Sequence, residues 1–306
     1  MPRDEVFLRL RAPLSPLGGR EGLGSEGGQT KAVPSRVGVV RGFFLKLLFV
    51  GDIVGSPGRR VLRKLLPGLV DRHHVDFCVV NVENAAGGFG ITAEVMAELD
   101  GLPIDCYTSG NHIWDKKEGM ALLDSDPRIL RPANYPAGNP GRGLYVGESP
   151  AGVPVAVINL EGQVFMRPLD SPFREADRLL ESLPKRVKVV VVDFHAEATS
   201  EKLAMGFYLD GRASLVVGTH THVPTADERV LPKGTAFLCD VGMTGPYESI
   251  IGFQVERVLH RFLMHTPSSF EVAKRDVRLA AVLADVDEES GRARSIERLL
   301  IADPAA

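Results

Sequence analysis

Cysteine and tryptophan are scarce in this chain of 306 residues, with three of the former and one of the latter. Cys78, Cys106 and Cys239 are odd in number, widely spaced and set in apolar runs. That excludes a disulfide framework and reads as buried thiols of a reducing, cytoplasmic compartment. An excess of basic charge is also missing. The 36 Lys and Arg against 39 Asp and Glu leave a net charge of −3, so no field draws nucleic-acid backbone non-specifically. No apolar run approaches the roughly 20 residues needed to cross a membrane. The stretch Val37 to Val50 follows basic residues, but Arg41 and Lys46 interrupt it and it leads into Gly51-Asp52, so it reads as a strand rather than a signal-peptide core.

What is present is a chain with 44% hydrophobic content, enough for a sizeable core. Residues 1–43 are rich in Gly, Pro and Arg without periodicity, which predicts disorder or a mis-called N-terminal extension. From 44 to 306 the pattern reads as one domain. Strands at 45–50, 77–82 and 104–108 alternate with helices near 59–72, 92–99 and 116–124, the order of parallel βαβ units. After a Pro- and Gly-rich loop come strands near 143–147 and 153–160, a helix near 173–183, a strand at 187–192, a helix near 199–209, and strands at 214–218 and 235–240. A helix near 254–264 precedes strands around 270–273, 277–287 and 295–301, the last two joined through the hairpin-like turn Glu288-Glu289-Ser290-Gly291. The fold class is α/β with two sheets.

Five strand endings carry side chains able to hold metal: Gly51-Asp52, Val82-Glu83-Asn84, Gly110-Asn111-His112, Val192-Asp193-Phe194-His195 and Gly218-Thr219-His220-Thr221-His222. Functional groups of α/β sheets gather beyond the carboxyl ends of strands, so these endings point to one shared polynuclear metal centre. The candidate ligands are Asp52, Glu83, Asn84, Asn111, His195, His220 and His222. As an oxygen and nitrogen set without thiolate they suit iron or manganese, with zinc compatible, better than Cu(I) or an iron–sulfur cluster. Extended alternation would put His220 and His222 on one side. Each has a plainer reading: Asp52 can brace a turn, and Asn84 and Asn111 can satisfy local backbone groups. With two carboxylates against two divalent cations, about two positive charges remain, or about one after a bridging hydroxide binds, which would attract a phosphate ester.

His112, adjacent to Asn111, should face away from it and towards a substrate, where it could give a proton to a leaving oxygen. Ser56-Pro57 reads as a helix opening with a capping serine, whose amides could alternatively hold an anion. Glu197, Thr199, Lys202 and Arg212 flank the later ligands as supporting or phosphate-contact candidates, and Trp114 reads as packing more readily than as a base platform.

The segments GDIVGSPGR at 51–59, NVENAAGG at 81–88, SGNHIWDKKE at 109–118, RPANYP at 131–136, DFHAEATSEK at 193–202, GTHTHVPTADERVLPKGTAF at 218–237 and DVGMTGPY at 240–247 resemble the calcineurin-like metallophosphoesterases, in particular the YmdB-type 2′,3′-cyclic nucleotide phosphodiesterases. The resemblance runs from about Leu45 to about Ile301. It implies a four-layer αββα sandwich, two divalent metal ions, and hydrolysis of 2′,3′-cyclic nucleotides or related phosphodiesters by in-line attack of a metal-bound hydroxide. It further implies that Glu83 bridges the metals, that Asp52, Asn84 and His222 serve one and Asn111, His195 and His220 the other, and that His112 is the general acid. Val54 stands where the wider superfamily has the histidine of Asp-x-His, and Glu83 stands where it has a bridging Asp. The expected partner is a small nucleotide or phosphodiester. Neither a membrane nor non-specific nucleic acid is expected, and a homo-oligomer is left open. Two alternatives remain at this level: a phosphomonoesterase or nucleotidase with the same centre, and a non-catalytic metal- and nucleotide-binding regulatory protein.

Overall fold

The computed structural model describes residues 44–304, so the expectation for residues 1–43 lies outside the described part. The first half runs β1 (Phe44–Val50), α1 (Gly55–His73), β2 (Phe77–Asn81), α2 (Ala93–Leu99), β3 (Cys106–Thr108), α3 (Lys117–Ser125), β4 (Leu144–Glu148) and β5 (Pro154–Glu161). It continues through α4 (Pro172–Ser182), β6 (Val189–His195), α5 (Thr199–Tyr208), β7 (Leu215–Thr219), β8 (Arg229–Val230), β9 (Ala236–Leu238) and β10 (Gly245–Pro246). Helix α6 (Val255–Met264) and the hairpin of β11 (Val277–Asp287) and β12 (Ala293–Ala302) complete it.

The described residues form two sheets of six strands each. In the first, β1, β2 and β3 are parallel, and β11 lies antiparallel to β1, β12 and the short β10. In the second, β5, β6, β7 and β9 are parallel, flanked by antiparallel β4 and β8. Among the described residues, no helix is long and apolar enough to cross a membrane.

The strand sequences explain how the layers stack, because alternate residues of a strand face opposite sides. Leu45, Leu47 and Phe49 of β1 join Val189 and Val191 of β6 in a core between the sheets. Their neighbours Leu48 and Val50 face outward onto α1, α2 and α3, with Val61, Leu62, Leu66, Val95, Leu99 and Leu123. On the far side Val190, Val192 and Phe194 of β6 pack against Ala176 and Leu179 of α4 and Met205 of α5. The result is the four-layer αββα sandwich. It directs the carboxyl ends of two sets of parallel strands towards one place.

Three local expectations change. Helix α1 begins at Gly55, four residues earlier than its pattern indicated. Its cap is Val54, which makes no side-chain hydrogen bond, so Ser56 lies inside the helix and caps nothing. The expected strand at 270–273 reduces to one bridge, Phe253 to Val272, because the residues around it form loop rather than ladder. Strands β8 and β10, of two residues each, are too short to leave a periodic signal.

Candidate metal centre

Each candidate ligand emerges just past a strand of one sheet or the other. Asp52 follows β1, Glu83 and Asn84 follow β2, Asn111 opens a 3-10 turn (Asn111–Trp114) after β3, and His195 ends β6. Asp52, Glu83 and His195 are wholly buried. His220 and His222 lie beyond the end of β7 in left-handed backbone, with φ of 100° and 66°, so extended alternation does not explain their shared direction. That conformation costs about 1–3 kcal/mol per residue and persists only where the surroundings enforce it. Here Asp240 enforces it. Its carboxylate accepts from the Thr221 amide at 3.2 Å and hydroxyl at 2.7 Å, and is itself held by the buried Lys202 ammonium at 2.6 Å.

The potential ligand atoms form two groups that share one residue. Glu83, His195 and His220 make one and Asp52, Glu83 and His222 the other, with the atoms of each group within 4.8 Å of one another. Asn111 Oδ1 lies 3.0 Å from His195 Nε2, and the Asn84 amide nitrogen lies 2.9 Å from Glu83 Oε1 and 3.0 Å from His222 Nε2. Each asparagine therefore adjoins a different group.

Hydrogen bonds around the ring nitrogens decide which of them is free to bind. The Thr219 hydroxyl donates to Asp193 Oδ1 at 2.7 Å, so the His195 Nδ1–H donates to Thr219 Oγ1 at 2.9 Å. That leaves His195 Nε2 facing Asn111 Oδ1 at 3.0 Å, His220 Nδ1 at 3.0 Å and Glu83 Oε1 at 3.2 Å. Likewise His222 donates from Nδ1 to the Ile251 carbonyl at 2.8 Å and keeps Nε2 for the interior. A carbonyl or carboxylate behind a ligating imidazole is the usual way its tautomer is fixed. His220 Nε2 meets Glu197 Oε2 at 3.1 Å, so its Nδ1 is the inward atom.

The charge balance also fits a cation. Burial pushes the Asp52 carboxyl well above its ordinary range, with His195 opposing the shift and Glu83 adding to it. Burial would raise Glu83 too, but His195, His112 and His220 together hold it below the usual carboxylate range. Burial lowers His195, yet Glu83, Asp52 and Asp193 outweigh it and lift the imidazole to about 9. The surrounding carboxylates thus attract positive charge into the site, which a divalent cation would supply in place of a proton. Burial, followed by His195, depresses His220 to about 3, and burial lowers His222, so both are neutral imidazoles with a lone pair to offer. Asp52 Oδ1 and Asn84 Oδ1 are buried and, among the described residues, accept no hydrogen bond. Buried oxygens normally find a partner, and both belong to the expected ligand set, so the residues present fit a metal centre.

His112 points elsewhere. Its Nδ1 pairs with Asp115 Oδ2 at 2.9 Å and its ring lines a cavity that reaches Glu83, Asn84, His220 and His222. Of the flanking candidates, Glu197 lines that cavity, Thr199 opens α5 and is not part of its wall, and Lys202 supports the His220–His222 turn through Asp240. Arg212 is bound to Asp177 at 2.6 Å and does not enter. The side chain of Trp114 packs against Tyr135, in line with its reading as a packing residue. Sequence reasoning missed Asp193, Thr219 and Asp240 as the groups that position the histidines. Only Asp193 carried a signal, being two residues before His195 on one face of β6.

The same strand endings and ligand groups lie within a stretch shared with known proteins. The family model described as YmdB-like protein matches residues 48–299. The chain belongs to the YmdB-like family. Within it, the chain is 49% identical over 260 residues to a Bacillus subtilis (strain 168) protein named 2′,3′-cyclic-nucleotide 2′-phosphodiesterase, covering 85% of this chain and 98% of that one. A crystal structure of a hypothetical protein from Thermus thermophilus superposes with a TM-score of 0.80 at 45% identity, covering 85% of this chain and 100% of the other. A Mycoplasma pneumoniae structure described as a novel phosphatase gives a TM-score of 0.80 at 33% identity, covering 86% and 95%. The YmdB-like core thus spans nearly all of the described residues.

Proposed function

We propose that this YmdB-like chain is a cytoplasmic phosphodiesterase that opens 2′,3′-cyclic nucleotides, with Asp52, Glu83, Asn84, Asn111, His195, His220 and His222 holding two divalent cations and Glu83 shared between them. The observation that carries the reading is the pair of ligand groups meeting at Glu83, set beside an imidazole that belongs to neither. The 49% identity to a protein named for that reaction supports the substrate class. Iron or manganese suits the mixed nitrogen and oxygen donors.

Bound there, the cations would activate water and draw electron density from the phosphoryl oxygens. The chain itself does the rest. The buried ligands neutralise part of the cationic charge and leave a modest positive field, matched to the single negative charge of a cyclic phosphodiester. His112, its ring oriented by Asp115, holds a proton at Nε2 for the leaving oxygen. Addition of water at phosphorus with cleavage of the bond to the 2′ oxygen yields a nucleoside 3′-phosphate; that oxygen takes a proton from His112, the attacking water loses one to solvent, and His112 regains its proton from solvent.

Metal-loaded protein is expected to show kcat/KM for 2′,3′-cyclic AMP at least about tenfold above that for the 2′- and 3′-monophosphates, equivalent to about 1.4 kcal/mol. Equal or faster hydrolysis of the monophosphates would favour a nucleotidase. Absence of turnover at full metal occupancy would favour a binding protein.

A further inference from the structure

The ligand groups occupy only one part of a cavity of about 1040 Å³. Small-molecule sites typically span roughly 300–1,000 Å³, so there is room for far more than a phosphate. The additional wall comes from α6, the loop after it, and three phenylalanines distant in sequence. Phe89 meets the His112 ring edge-on at 4.9 Å and stacks on Phe253 at 5.2 Å with an interplanar angle of 20°. Phe253 in turn lies 5.1 Å from Phe270, and the Arg261 guanidinium sits over the Phe270 ring at 5.1 Å. None of these phenylalanines belongs to the three core clusters. Phe89 and Phe270 are only half-buried although they line the cavity. A ring ladder that starts against His112 and stays open to the cavity is suited to receive a flat aromatic group attached to the reacting phosphate.

We propose that Phe89 and Phe270 form a stacking platform for the nucleobase and so determine the preference of this site for nucleotides over simpler cyclic phosphates. The proposal rests on the phosphodiesterase reading above. Every base has a π-face, so stacking of this kind recognises bases as a class rather than one base by its edges. Phe253, almost wholly buried beneath both rings, supports the platform and does not itself contact the base. Phe270 is the cleaner probe, because Phe89 also touches His112.

The test compares 2′,3′-cyclic AMP with glycerol 1,2-cyclic phosphate, which has the same strained five-membered ring and no base, using the full metal-loaded chain. The unsubstituted protein should favour the nucleotide at least about tenfold in kcat/KM. Phe270→Ala should lose roughly ten- to hundredfold on the nucleotide, mainly in KM, and change by less than about twofold on the glycerol ester. Phe270→Leu, which keeps apolar bulk without a ring, should show the same split if the alanine variant folds poorly, and Phe270→Tyr should restore the preference. An equal loss on both substrates, or an unsubstituted protein indifferent to the base, overturns the platform while leaving the phosphodiesterase reading intact. Failure of the metal-loaded protein to open either ester overturns the phosphodiesterase reading, and the platform with it.

Discussion

Gly110→Ala should be among the most damaging single-methyl additions to this protein, for a reason that can be worked from the site. Gly110 precedes the turn that delivers Asn111 and His112, and its φ of −152° is extended backbone that does not demand glycine. The constraint is space. A Cβ there would overlap His195 at Cδ2 and Nε2 and Glu83 at Oε2. Neither can easily retreat: His195 is tied through Thr219 to Asp193, Glu83 accepts from Asn84, and both are wholly buried. Overpacking of a buried site costs about 1–3 kcal/mol, which for a domain of this size lowers Tm by roughly 2–12 °C. The groups displaced are a shared carboxylate and a ligand of the proposed centre. A shift of about 1 Å in such groups typically costs a hundredfold in rate. Thermal unfolding, metal analysis and kcat/KM on 2′,3′-cyclic AMP should therefore fall together, with bound metal well below that of the unsubstituted protein. A Gly110→Ala protein with full metal content and normal turnover would refute the reasoning.

Five other substitutions test the roles assigned to individual groups. His195→Ala or His220→Ala should lower bound metal as well as rate, whereas His112→Ala should keep the metal and reduce turnover by about a hundredfold to ten-thousandfold, read by metal analysis beside steady-state kinetics. Thr219→Val removes the hydroxyl between His195 and Asp193, and should weaken metal binding by roughly ten- to a hundredfold in a chelator competition assay with little change in overall shape. Gly68→Ala is a contrast on the exposed side of α1, where an added Cβ meets nothing within 4 Å; replacing helical glycine should raise stability by about 0.8 kcal/mol in denaturant unfolding and leave kinetics unchanged.

The layers and the strand endings were legible because they depend on local pattern. Leu45, Leu47 and Phe49 alternate with Leu48 and Val50 across one sheet, and that alternation suffices to separate the inner core from the outer one. Ligand candidates were legible as polar residues stranded at the ends of apolar runs. The path of His220 and His222 was not, since it depends on a left-handed backbone held by Asp240, a residue from a later strand end. The cap of α1 also escaped, because Val54 ends an approach fixed by the hydrogen bond its N–H donates to the Thr244 carbonyl at 3.0 Å, a tertiary contact that overrides the serine signal. Least legible was the ladder of Phe89, Phe253 and Phe270, assembled from three loops and helix margins with no shared periodicity.

The central claim is that two cations sharing Glu83 are required to open a cyclic phosphodiester. The most direct measurement is recovery of 2′,3′-cyclic AMP hydrolysis as manganese is titrated into metal-stripped protein, with bound metal counted at each step. Activity should rise with occupancy and saturate at two ions per chain, and Glu83→Gln should impair binding of both. Full activity in the stripped protein, or saturation at one ion with the second inert, would contradict it.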